Sequence, residues 1–284
     1  MGQRQSQHSA AAPTAQQQNL RIDVSGKTFL VPAHSQRYLS VLTGCQNLRQ
    51  LLHAFLPQEV HKGDDSRRRW LSDVANYITQ QLKDEDSLIA CIQKYWHIRW
   101  ETMVKAYGAT EKSEPPTLFE RTSTGRVIVG LGGPSPLETD MTLHHVYGLP
   151  YLPGSALKGM TCAYATHMNV PLKDMSRIFG EKTGSGTVIF FDAIPGENLT
   201  LDLDIMNPHY PNYYQGSDPP SDDQSPRPIF FLTVKNSTFH FAVAPRPGAL
   251  GNEGDAGQAA KWLGDALASE GIGGKTSSGY GVFR

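Results

Sequence analysis

The stretch PIFFLTVKNSTFHFAVA, residues 228–244, holds two apolar runs separated by Lys235 and Asn236. Aromatic and β-branched residues dominate both runs, so each is expected to be a strand, and together they read as a hairpin turning over Lys235-Asn236. Upstream, TVIFFDAIP (187–195) and LTLDLDIM (199–206) read as further strands. PGSALKGMTCAYATHM (153–168) reads as a turn followed by a helix, and RVIVGLGG (126–133) as a strand running into glycines. Downstream, residues 255–271 put Ala259, Trp262, Leu263, Ala266 and Leu267 on one helical face, with Gly271 as the stop. GKTSSGYGVF then supplies a last strand. The order strand, helix, strand, strand, helix, strand is the ferredoxin-like, RRM-type plan, here with an inserted segment near 196–227. The expected class is α+β.

The first part of the chain differs in character. Residues 1–19 are rich in Gln, Ser and Ala with almost nothing to bury, which predicts a disordered tail. Residues 20–116 are expected to form a helical N-terminal region ahead of a domain spanning 117–284, with Pro115-Pro116 as the joint. Within it, Leu39, Leu42, Leu48, Leu51, Leu52 and Phe55 recur at helical spacing from Gln36 to Leu56, and Pro57 helps end the run. Two more helices are expected over 66–82 and 87–107, the second with Ile92, Tyr95, Trp96, Trp100 and Met103 near one face.

Composition narrows the function classes. A net charge of −1 excludes coating of nucleic acid by bulk positive charge, so any such binding must rest on a local basic groove. Cys45, Cys91 and Cys162 form no C-x-x-C pair, which indicates neither a zinc site nor a disulfide framework. No apolar run approaches the roughly 20 residues of a membrane span, and the N-terminus lacks the apolar centre of a signal peptide, so a cytoplasmic protein is expected.

Two motifs draw attention. GIGGKTSSGYGVFR (271–284) contains Gly-Lys-Thr, but a nucleotide-binding P-loop requires glycine where this chain has Ser269, and a helix after Thr276. The loop suits a sugar-phosphate chain better: Gly274 and its neighbours allow close approach, Thr276, Ser277 and Ser278 offer hydroxyls, and Lys275 offers charge. Tyr280 is placed either to stack on a base or to fill a core. LPGSALKG (152–159) sets a turn at Pro153-Gly154, with Ser155 as the expected N-cap and Lys158 in the first turn. A helix start of that kind attracts anions, although an ordinary surface lysine after a cap reads the same. In a ferredoxin-like fold the two loops can meet on one face.

Other candidates are weaker. NPHYPNYY (207–214) groups His209 and Tyr210 with Tyr213 and Tyr214 in a proline-held loop suited to splayed bases or to packing. Asp202 and Asp204, two apart on a presumed strand, share a face that can hold a metal, but no third ligand is identifiable. Asp192 is expected to bond a turn. His144-His145 invites an acid–base pair, yet neighbours on a strand point to opposite sides. Arg67-Arg68-Arg69, a basic cluster before Trp70, reads first as a solvated helix start and second as an RNA contact. No cofactor is expected.

Taken in order, residues 138–159, 190–195, 199–214, 225–234 and 271–281 resemble the RAMP superfamily of CRISPR proteins, and within it the sixth-subunit family of the type III-B Cmr effector complex. The chain departs from the family pattern at Ala156, where a second serine is frequent, and at Gly274, where alanine is frequent. The resemblance implies an RNA-binding subunit without nuclease activity, acting in antiviral defence. Its partners would be CRISPR guide RNA, other RAMP subunits of the Cmr complex and, through the complex, target RNA. The implied RNA or subunit contacts are Gly154, Ser155, Lys158, Gly159, Lys275, Thr276 and Ser277. Two readings stand beside it: a metal-independent endoribonuclease using His144 or His145 on guide precursor, and a pure protein adaptor.

Overall fold

The computed structural model describes residues 19–24, 27–32, 45–107, 114–182, 184–207 and 228–284. Residues 1–18 of the tail expected over 1–19, and the loop holding His209, Tyr210, Tyr213 and Tyr214, lie outside the described residues, while Asn19 belongs to a strand.

In a region expected to be helical, the chain opens with β1 (Asn19–Val24) and β2 (Lys27–Pro32), an antiparallel pair. Of the helix expected over Gln36 to Leu56, residues 36–44 lie outside the described residues; α1 covers Leu48–His53, and the Asn47 side chain caps it by accepting from the Gln50 N–H. Next come α2 (Asp64–Lys83) and α3 (Leu88–Ala106), both close to expectation; Ser87 caps α3 by accepting from the Ala90 N–H. Trp96, Trp100 and Val104 face inward from α3, whereas Tyr95 and Met103, expected on the same face, are exposed.

The C-terminal part builds two antiparallel sheets from β3 (Thr117–Thr122), β4 (Arg126–Val127), β7 (Val188–Phe190), β8 (Ile194–Pro195), β9 (Leu201–Met206), β10 (Ile229–Lys235) and β11 (Thr238–Pro245). Helices α4 (Gly154–His167) and α5 (Leu172–Phe179) and the small pair β5 (Gly180–Glu181) and β6 (Gly184–Ser185) intervene, and α6 (Asp255–Ser269) follows.

The expected hairpin between β10 and β11 does not form. β10 lies between β4 and β9, and β11 lies between β3 and β7, with β8 also paired to β11. The stretch 117–127 runs antiparallel to 234–243, but Thr238 pairs with Thr122 while Lys235 pairs with Arg126, so the register slips by one residue at the junction. Ser123, Thr124 and Gly125 there face Asn236 and Ser237, an extra residue that bends a ribbon as a β-bulge does. The two halves thereby enter different sheets. Asn236 takes φ 47°, and Ser123 and Ser237 tie the corner reciprocally: the Ser123 N–H donates to the Ser237 carbonyl, and the Ser237 N–H to Ser123 Oγ, each at 3.0 Å.

The last segment is not the strand expected from GKTSSGYGVF. Thr276–Ser278 make a turn of 3-10 helix, and only the final residues join β3, where Thr122 and Arg284 exchange N–H···O bonds of 2.9 Å. Phe283 is fully buried and meets Phe239 and Phe241 edge-on at 5.8 and 5.7 Å. The larger sheet therefore runs C-terminal segment, β3, β11, β7. α4 and α6 pack together, and α6 lies on β11; α2 covers β9 and β10. α3 reaches the larger sheet through Trp100 Nε1, which donates to the Asp192 carbonyl at 2.8 Å, and Gln93 Nε2, which donates to the Gly196 carbonyl at 2.6 Å.

Candidate nucleic-acid interface

The start of α4 is built differently from expectation. Pro153 occupies the N-cap position and Ser155 lies inside the first turn, exposed, with no capping bond. The cap comes from across the sheet: Asp192 Oδ1 accepts from the Gly154 N–H at 2.7 Å. This agrees with a turn-bonding role for Asp192 and puts a carboxylate on a donor that an outside anion would otherwise use. Gly154 is there for packing, because a Cβ would stand 2.2 Å from the Phe190 carbonyl oxygen. Gly159 is exposed and meets nothing within 4 Å. Lys158 is half-buried and has no ion pair among the described residues.

The closing loop is held by backbone. Gly274 N–H donates to the Ile128 carbonyl, Gly281 N–H to the Arg126 carbonyl, and Ile272 N–H to the Gly281 carbonyl, at 2.8, 2.8 and 2.9 Å. Gly273 has φ 92°, and a Cβ there would stand 2.2 Å from the Ile128 carbonyl oxygen, so only glycine allows this approach. Lys275 takes the left-handed conformation, φ 61°, and its Nζ sits 5.4 Å from the Phe231 ring and 5.8 Å from the Tyr280 ring. Both are cation–π distances. Thr276 is half-buried, and Ser277, Ser278 and Gly279 form an exposed tip.

Tyr280 is anchored rather than free. Its hydroxyl donates to the Asp204 carboxylate, and burial, reinforced by that carboxylate, pushes its pKa up to about 12. Asp204 also faces Arg126 Nε at 3.0 Å, while Asp202 is held by Arg126 Nη2 at 2.9 Å and Lys235 Nζ at 3.2 Å. Burial works to raise the pKa of Asp202, but Lys235 and Arg126 outweigh it and the net shift is downward. The two aspartates do share a face, as the spacing requires, and their charges are spent on protein cations. Among the described residues no three His, Cys, Asp or Glu side chains gather as a metal site would need.

Among the described residues no hydrogen bond or ion pair joins the two loops directly. The closing loop is bonded to Arg126 and Ile128, the start of α4 to Asp192. Between them Thr142 N–H donates to the Val129 carbonyl and Tyr151 N–H to the Thr142 carbonyl, so extended segments separate the two motifs.

His144 and His145 correct another expectation. They lie in a tight turn, not a strand: His144 N–H donates to the Leu149 carbonyl and Gly148 N–H to the His144 carbonyl. Their rings therefore stack on one side, 5.0 Å apart. Burial, then the neighbouring His145, lowers the pKa of His144, whose Nδ1 accepts from the Val146 and Tyr147 N–H groups at 3.2 and 3.3 Å. Of the expected solvated helix start, Arg68 and Arg69 are exposed, whereas Arg67 is largely buried and pairs with Asp64 and Glu138. Sequence reasoning missed Arg126 and Lys235 as the partners of the aspartates; their alternation with Asp202 and Asp204 becomes visible only once the strands are paired.

The comparisons with known proteins agree with this architecture. The RAMP superfamily model matches residues 121–284. The chain is 36% identical to CRISPR system Cmr subunit Cmr6 of Pyrococcus furiosus, over 55% of this chain and 64% of the relative. It is 27% identical to CRISPR system CMR subunit Cmr6 of Saccharolobus solfataricus, over 58% of this chain and 56% of the relative. The matched part thus spans less than two thirds of either relative. A chain of the type III-B Cmr-beta complex bound to cognate target RNA superposes with a TM-score of 0.56 at 22% identity, covering 78% of this chain and 72% of that one, a likeness of fold. No helix among the described residues is long and apolar enough to cross a membrane. With the family model covering more than half its length, the chain belongs to the RAMP superfamily.

Proposed function

We propose that the chain is a non-catalytic, RNA-binding subunit of a type III-B CRISPR interference complex, contacting guide-RNA backbone and neighbouring RAMP subunits in the cytoplasm. The observation that carries this reading is the closing loop, whose hydroxyl-bearing tip at Ser277 and Ser278 stands outward on a backbone bonded to Arg126 and Ile128. Hydroxyls, amides and a lysine grip sugar and phosphate without reading base sequence, which suits a guide of variable sequence. Lys158 and Gly159 at the start of α4 extend the contact along the same strand path. The names of the relatives support the assembly, and through it contact with target RNA. Residues 117–284 act as the RAMP unit. We read its sheet, with the C-terminal segment beside β3, β3 beside β11 and β11 beside β7, as ferredoxin-like, with β9 and β10 as an excursion from it.

The test is purification of the tagged protein from its host, with sequencing of bound RNA and mass spectrometry of bound proteins. Small RNAs carrying a repeat-derived tag, together with other RAMP proteins, are expected. Lys158→Ala with Lys275→Ala should reduce RNA retention and flatten its salt dependence, by about 1.4 in log–log slope for two single-strand phosphate contacts. Recovery of neither RNA nor RAMP proteins would sink the reading.

A further inference from the structure

Outside both loops, a nest of rings lies where α3 meets the turn at 144–149. Trp96, His144 and Tyr147 pack mutually, with centroids 4.5 to 5.1 Å apart, and His145 stacks outward from His144 at 5.0 Å. Trp96 is buried, whereas His145 is exposed, so the cluster runs from the core to an open ring face. The turn is rigidly held, because Asn47 Nδ2 donates to the Val146 carbonyl at 3.1 Å in addition to the bonds within the turn. Beside the nest, Tyr95 is 55% exposed and Val146 61%, and the Arg99 guanidinium lies 5.9 Å from the Tyr95 ring centroid. Arg99 acts electrostatically on Tyr147, and Arg49 of α1 on Tyr151, so both guanidiniums lie near the turn. Residues 45–53, 88–100 and 141–151 contain no Asp or Glu. The nearby Asp192 carboxylate is engaged by the Gly154 N–H.

An open aromatic face flanked by guanidiniums, with the bordering carboxylates Asp140 and Glu101 facing His53 and Lys105, has the chemistry of a stacking platform for single-stranded nucleic acid: rings take bases and cations take phosphates. We propose that this nest is a second RNA contact, in which a splayed nucleobase stacks on His145 while Arg99 and Arg49 hold the adjoining phosphates. The proposal rests on the reading of the chain as an RNA-binding subunit and adds a surface from the N-terminal region to it. A protein partner would find exposed apolar area here too, but the charge bias favours a polyanion.

The probe is a fluorescent oligouridylate of about 16 nucleotides, the upper end of single-strand site sizes, titrated against the full chain by anisotropy. His145→Ala and Arg99→Ala, both exposed and without bearing on the core, are each expected to weaken binding roughly tenfold. His145→Trp, which enlarges the open ring face, is expected to tighten it. Ultraviolet crosslinking should join uridine to a peptide containing residues 144–147. Wild-type affinity in both alanine variants, with crosslinks only on the closing loop or α4, would overturn this proposal and leave the proposed function standing. Failure of the wild-type chain and its complex to bind RNA would overturn both. Alanine variants that bind RNA normally but lose a co-purifying protein would overturn it in favour of a protein contact.

Discussion

Asp255, the first residue of α6, is buried with its carboxylate shared between neighbours: Arg177 reaches both oxygens through Nε at 3.2 and 3.0 Å, Thr187 Oγ1 donates at 3.1 Å, and the Asn252 N–H at 3.0 Å. Burial alone would raise its pKa, but Arg177 and the other donors outweigh burial and hold it below the usual carboxylate range, while the same contact raises the pKa of Arg177. A depressed folded-state pKa means that this stabilisation is complete above the unfolded value near 4 and is lost as pH falls through the folded value. Asp255→Asn removes the charge and leaves Arg177 with only Asp174, so urea denaturation at pH 7 should show a loss of about 2 to 3 kcal/mol. The gap between wild type and variant should close below about pH 4. Phe283 is a second test at this scale. Its ring is fully buried and meets Phe239 and Phe241 edge-on, and Phe283→Ala should cost about 3 to 5 kcal/mol in the same assay.

Among the elements, α2, α3, α4 and α6 were legible because their signals are local, whereas α5 was not anticipated. Ser87 before α3, the apolar stripe of α6 and Gly271 after it all act within a few residues of the element they define. Strand identity was legible at β9, β10 and β11 for the same reason. Pairing was not, because the partners of β10 and β11 lie in residues 117–127, more than a hundred positions upstream, and a two-residue spacer between apolar runs looks like a hairpin whether or not its flanks bond each other. β3, reading TLFERT, alternates in burial, but its two apolar residues, Leu118 and Phe119, are adjacent, so no period of two stands out in the sequence. The candidate site suffered likewise: the glycines of the closing loop announced close approach, but Asp192, the cap of α4, lies 38 positions downstream between β7 and β8, and no spacing rule reaches it. The junction itself yields a prediction. Asn236 holds φ 47°, a conformation open to Asn and Gly and strained for β-branched residues. Asn236→Val should destabilise the fold by about 1 to 2 kcal/mol, and Asn236→Gly by less than about 1 kcal/mol. Equal losses in thermal unfolding would mean that the side chain, not the backbone angle, shapes the corner.

Across the whole molecule, the N-terminal region and the larger sheet meet through α3, and the meeting includes a titratable pair. His97 of α3 stacks on His240 of β11 with centroids 4.1 Å apart and planes 18° from parallel. His240 Nδ1 faces Glu120 of β3 at 3.1 Å, and Glu101 of α3 also acts on it. The two glutamates favour the charged imidazole, but burial first and His97 second prevail, so the pKa of His240 is lowered. With the folded value below the unfolded value near 6.5, the contribution of His240 to stability is intact above pH 6.5 and is lost as pH falls toward the folded value, because the unfolded chain then binds the proton more readily. One proton limits the slope to about 1.4 kcal/mol per pH unit. The contact at risk joins α3 to β11, so hydrogen exchange should quicken across the amides of Leu88–Ala106 when the buffer moves from pH 7.5 to pH 5.5, after correction for the intrinsic rate. His240→Phe keeps a ring against His97 and removes the titration, and its Tm should change less between those two buffers than that of the wild type. Equal pH sensitivity in wild type and variant would place the titration elsewhere and leave the stacked pair as packing alone.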